Sequence, residues 1–126
     1  MARRSAIDTL SLEVEKILQE YGENVQENIN EIVSEMSKKG AKAVKSQARS
    51  TFGGSGKYAS GWTSQVETGR VSAQGTIYNR DLPGLPHLLE NGHANRNGGR
   101  TAGRIHIATV EEQLIKEFES QVISKL

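Results

Sequence analysis

The chain contains no cysteine, which rules out disulfides, a thiol nucleophile and a thiolate-bound metal. Aromatic residues are scarce, at 5% of 126 residues, and hydrophobic residues of every kind reach only 35%. One copy can therefore build a single thin core, and a partner that covers more apolar surface would stabilise it. No apolar run approaches membrane-spanning length, and Met1–Leu12 lacks the apolar stretch of a signal peptide. The expectation is a protein made and kept in a cytoplasm, at least until it joins something, with no membrane partner. Serines are plentiful, yet none sits in a nucleophile elbow, and no phosphate-cradling glycine motif precedes a helix. The expectation is that the chain is not an enzyme and carries no cofactor.

Acidic residues are missing from two stretches. Met36 to Trp62 holds Lys38, Lys39, Lys42, Lys45, Arg49 and Lys57 and no acid, and Asn91 to Val110 holds only Arg96, Arg100 and Arg104. Between Asp8 and Glu35, by contrast, eight acids accompany the single base Lys16. The formal net charge is only +1, so the sorting carries more information than the total. An acidic start and a basic end complement the macrodipole of a long helix, and such patches also guide subunits as they dock.

Leu10, Val14, Ile17, Leu18, Tyr21, Val25, Ile29, Ile32, Val33 and Met36 recur at three- and four-residue steps, which predicts one amphipathic helix over 1–50. Asp8 or Thr9 is the expected cap. Such a helix would reach about 60 Å against a radius of gyration of about 14 Å, so it must bend near Gly22 or Gly40, or project and seek a partner. A Gly/Ser-rich loop from Phe52 to Gly61 follows. Trp62, Ser64 and Val66 then alternate with Thr63, Gln65 and Glu67, and Thr76 to Asn79 returns as a second, antiparallel strand. Trp62 and Tyr78 are the expected aromatic anchors of the core.

The region 80–108 begins irregularly at Pro83 and Pro86, and Leu88, Leu89 and Gly92 predict one helical turn ended by glycine. His87, Glu90 and His93, with His106 as a fourth, are the candidate metal ligands of a hydrolase, although Gly92 breaks the face on which they would have to meet. Asn91 to Arg104 is rich in glycine, asparagine and arginine. Its three arginines suit nucleic-acid phosphates or an acidic partner, and the absence of aromatics there speaks against base stacking. Val110, Leu114, Ile115, Phe118, Val122 and Ile123 predict a second amphipathic helix over 109–125. The fold class expected is α+β in a single domain over 1–126. Its parts are a long N-terminal helix, straight or kinked, a small antiparallel sheet or hairpin over 62–79, an irregular Pro/Gly/Arg region and a C-terminal helix.

Gly56-Lys57-Tyr58-Ala59-Ser60-Gly61-Trp62, Ile77-Tyr78-Asn79, His87-Leu88-Leu89-Glu90-Asn91-Gly92-His93-Ala94, Arg96, Gly98-Gly99-Arg100 and Ile105-His106-Ile107-Ala108 occur in that order. Together they resemble a family of tailed-phage tail components, relatives of the tenth gene product of phage Hong Kong ninety-seven. The match covers nearly half of the chain. It departs at Gly84-Leu85-Pro86, where the family often has an aromatic, and at Arg104-Ile105, where it often has proline before the histidine. The resemblance implies a virion structural protein of the siphophage head–tail junction, acting as tail terminator, neck ring or head–tail connector. It implies a homo-oligomeric ring, a hexamer or dodecamer, contacting neck, head-completion and tail-tube proteins, with DNA passing through the channel. Lys38, Lys42, Lys45, Arg49, Arg96, Arg100 and Arg104 are the expected contact residues, and Trp62, Tyr78, Leu88 and Leu89 the expected fold anchors. The alternatives are a nucleic-acid-binding accessory protein and a metal-dependent hydrolase.

Overall fold

Leu10, Leu12 and Val14 alternate with polar residues, and each is almost fully buried, at 2%, 1% and 4% exposure. They form strand β1 (Leu10–Glu15), not the first turns of the expected helix. Leu10 and Val14 satisfy both a four-residue and a two-residue period. Leu12 between them decides for the strand, because only a pleat turns all three to one face. The structure is a computed structural model that describes residues 8–15, 23–54, 56–69 and 72–125. The bend expected near Gly22 lies outside the described residues, as do Ile17, Leu18 and Tyr21.

Helix α1 (Glu23–Phe52) runs without interruption for 30 residues, about 45 Å at the usual rise. A short turn, α2 (Lys57–Ser60), leads into strands β2 (Trp62–Thr68) and β3 (Ser72–Asn79). Helix α3 (Pro86–Asn91) is followed by a two-stranded hairpin, β4 (Gly92–Ala94) and β5 (Arg100–Ala102), and by helix α4 (Ala108–Lys125). The fold is α+β. The main sheet has the order β1-β3-β2 with both pairings antiparallel, so the expected hairpin of β2 and β3 gains β1 on its far side.

One face of the sheet presents Leu12, Val14, Trp62, Ala73, Gly75 and Ile77 to α1, and α4 lies against α1 through Val110, Leu114, Phe118 and Val122. Gly40, expected as a hinge, is instead a point of close approach. A methyl group there would collide with Ile77 Cδ1 of β3 and crowd Leu114 of α4. Gly75 does the same from the sheet side, where an added Cβ would run into the Ser37 side chain. Both glycines let backbones come closer than any larger residue permits. The stretch expected to be least ordered, 91–104, closes as a hairpin through a turn in which Asn95 N–H donates to Gly99 O at 2.7 Å. Among the described residues, no helix is long and apolar enough to cross a membrane.

Candidate functional site

Helix α4 begins after Ile105-His106-Ile107, which contains no Ser, Thr, Asp or Asn to accept its first N–H groups. Those donors must find an acceptor from elsewhere in the chain. Glu90 of α3 supplies it: Oε1 accepts from His106 N at 2.8 Å and Ile107 N at 2.9 Å, and Oε2 accepts from Ala108 N at 3.0 Å. A carboxylate at a helix N-terminus is favoured by both hydrogen bonding and the dipole.

The same carboxylate lies 2.9 Å from Nδ1 of His106, a fully buried ring. Arg104 O lies 2.8 Å from that nitrogen as well. Two acceptor oxygens on one side assign the proton to Nδ1, so in the neutral ring Nε2 accepts from the Tyr58 hydroxyl at 2.7 Å. Burial pushes the Tyr58 phenol up from its ordinary value. The Trp62 indole N–H opposes this in part, though it reaches no hydrogen bond of good geometry, and the charges of Glu90 and Asp8 reinforce it. Phe52, at the end of α1, packs edge-on against both rings, with centroids at 4.8 Å from His106 and 5.7 Å from Tyr58. Trp62 closes the cluster at 5.9 Å from Tyr58. Asn79, fully buried, donates from Nδ2 to Tyr58 O at 2.8 Å and accepts from Leu82 N at 3.0 Å.

Tyr58, Trp62, Asn79, Glu90 and His106 thus meet in one node that ties the end of α1 to α2, β2, β3, α3 and the start of α4. Every polar partner inside it except the Trp62 nitrogen is satisfied. The arrangement orients and locks. No family model, curated protein or solved structure matches the chain.

The candidate metal ligands go separate ways. His87 places its backbone N–H at 3.0 Å and its ring Nδ1 at 2.8 Å from Asp8 Oδ1, so Asp8 serves α3 and not the N-terminal helix it was expected to cap. Glu90 is taken up by α4, and His93 Nδ1 faces the Ala94 carbonyl at 3.3 Å. Among the described residues, no three His, Asp or Glu side chains converge on a point that could hold a metal ion. Of the expected anchors, Trp62 is buried at 2% exposure, whereas Tyr78 is half-buried on the outer face of β3. Leu88 and Leu89 are half-buried and also act through their carbonyls, which accept from Gly92 N and, at 2.8 Å, from Arg104 N.

The expected basic contacts form two groups. Arg104 donates from Nη1 to Thr51 O at 3.1 Å, where its charge suits the C-terminus of α1. Arg100 donates to Asn91 O at 3.1 Å, and Arg96 is exposed in the hairpin turn. Lys38, Lys42, Lys45 and Arg49 recur at three- and four-residue steps along the outer face of α1, and the last three line an open depression of about 340 Å³. The same outer face continues toward the N-terminus as Glu27, Glu31 and Glu35, all exposed. Like charges therefore stand four residues apart at Glu27–Glu31, Glu31–Glu35, Lys38–Lys42 and Lys45–Arg49. Each such pair costs a helix on the order of 0.2–0.5 kcal/mol.

Sequence reasoning placed the basic residues on a helix but missed the node. His106 and Glu90 stood out as candidate metal ligands and as part of the family resemblance, and neither reading joined them to Tyr58. The signal available was the start of α4, which has no capping residue of its own and so required an acceptor from outside.

Proposed function

We propose that the chain is a virion structural protein of a tailed phage, a component of the head–tail junction that assembles with copies of itself into a ring and completes the tail or neck. The observation that carries this reading is the convergence of the residues on which the family resemblance rests. Tyr58, Trp62, Asn79, Glu90 and His106 come from four separate segments of that resemblance, spread over nearly 50 residues, and they lock together in one interior node. Scattered chance matches have no reason to do so, whereas residues that specify a shared fold must touch. The node leaves its polar groups committed to one another, which suits a building block better than a catalyst.

Within this role the exposed Arg96 and Arg100 on the hairpin, together with Ile105 at 65% exposure, are the surface offered to a neighbouring subunit or to a neck, head-completion or tail-tube protein. A hexamer or dodecamer closes if this heterologous contact repeats around an axis. Basic side chains lining the channel tolerate DNA without reading its sequence. Electron microscopy of lysates from a phage that lacks the gene tests the reading. Filled heads beside separate tails are expected, or tails of abnormal length if the protein terminates them. Intact, normal particles would overturn it. The exposed arginines also favour a second reading, an accessory protein that binds nucleic acid. Its signature is tight, steeply salt-dependent DNA binding by the free protein.

A further inference from the structure

The outer face of α1 changes sign at its middle, between Glu35 and Lys38. Macrodipole complementarity does not account for this, because that effect is confined to the first and last turns and only Arg49 of these residues lies there. Helix stability does not account for it either, since opposite charges alternating at four-residue spacing would support α1, and here like charges are stacked. Among the described residues, none of Glu27, Glu31, Glu35, Lys38, Lys42 and Lys45 takes part in an ion pair, whereas Lys39, on the flank facing α4, is held by Glu117 at 2.6 Å. Among the described residues the face is unpartnered, and its stacked like charges are costly to the helix.

We propose that this face docks a second copy of the same chain, α1 against α1, antiparallel and related by a two-fold axis that passes between Glu35 and Lys38. In that arrangement Glu35 stands opposite the partner's Lys38 and Glu31 opposite the partner's Lys42. Glu27 comes within one residue of the level of the partner's Lys45. The symmetry repeats each pair, so the stacked charges from Glu27 to Lys45 each gain an opposite charge across the contact, while Arg49 lies outside the paired stretch. A parallel copy in register would set acid against acid. A nucleic-acid strand laid along the stripe would meet the three glutamates as well as the bases. Self-complementarity under a two-fold axis is thus the feature that selects the occupant. The contact closes at two copies, so it pairs free subunits, or two rings face to face, and is separate from the contact that closes a ring. The proposal goes beyond the phage reading and does not depend on it.

Sedimentation of the purified full-length chain, with circular dichroism as the folding control, provides the test. The wild-type protein should self-associate at low ionic strength, and the association should weaken roughly tenfold or more near 1 M salt, where screening acts within about 3 Å. The acid-reversed variant Glu31→Lys/Glu35→Lys and the base-reversed variant Lys38→Glu/Lys42→Glu should each lose the two-copy species alone and recover it as a 1:1 mixture. The fourfold variant carrying both sets of changes restores complementarity and should associate like the wild type. A wild-type protein that stays monomeric at low salt would overturn the proposal. So would a two-copy species that survives in either single-sign variant, or a mixture that fails to recover it; larger ring-sized species report the separate ring contact. Selective capture of DNA by the base-reversed variant's parent, with no self-association, would assign the stripe to nucleic acid instead.

Discussion

At Glu90 a single carboxylate meets three backbone N–H groups and a histidine ring, and its two oxygens leave no room for a donor. Glu90→Gln keeps the shape but turns an amide NH₂ toward groups that also donate. The expected loss is about 2–3 kcal/mol, seen as a fall in melting temperature on the order of 5–10 °C. Tyr58→Phe removes the donor to His106 Nε2 and leaves that nitrogen buried, for about 1 kcal/mol near neutral pH, measurable by denaturant unfolding. The same residue sets an alkaline limit. Its phenol is raised in the folded chain, so the unfolded chain loses its proton first once the pH passes about 10. Stability held below that pH then declines as pH rises further. Melting curves taken across that range should fall less steeply for Tyr58→Phe than for the wild type. An equal slope in both would remove Tyr58 as the cause.

Between elements, α1 lies so close to β3 at Gly75 that an added Cβ would run into the Ser37 side chain. Gly75→Ala should cost about 1–3 kcal/mol through overpacking, and Ser37→Ala in the same chain should recover part of it. Ser37 on its own spends its hydroxyl on Val33 O at 2.6 Å within the helix, so its removal alone is expected to be mild. A double-mutant cycle by chemical denaturation measures the coupling. Arg104→Ala should destabilise by about 0.5–1 kcal/mol because it uncovers the end of α1, whereas Arg96→Ala/Arg100→Ala should stay within about 0.5 kcal/mol of the wild type. Much of this level was legible in the sequence. The two-residue period over Trp62–Val66, the turn at Leu88-Leu89 and the apolar stripe from Val110 onward all became the elements they indicate. Strand β1 was not, since Leu10 and Val14 suit a helix as well as a pleat and the pairing with β3 that chooses between them spans more than 60 residues. The node was hidden for the same reason. Glu90, His106 and Tyr58 each have ordinary local roles, and only the chain path brings a capless helix, a carboxylate and a phenol together.

Taken as a whole, the molecule keeps its interior and its outward surfaces on different residues. The contacts that hold α1, the sheet and α4 together do not use Arg96, Arg100 or the outer stripe of α1. If the proposed head–tail role holds, a phage carrying Arg96→Ala/Arg100→Ala should produce a folded protein with unchanged circular dichroism and yet a reduced yield of joined particles, scored by electron microscopy and infectivity. Unfolding of that variant would count against the joining role. The hairpin that bears these arginines is sealed at its base: Arg104 N donates to Leu89 O, and Gly92 and Gly103 pass so close to the opposing backbone that no side chain fits. Its turn, from Asn95 to Gly99, bonds mainly to itself. A stem closed in this way insulates the rest of the protein from whatever sequence caps it. The turn is therefore a place where residues can be inserted or exchanged, by mutation or by a cloned epitope, to retune what this surface binds without asking the interior to fold again.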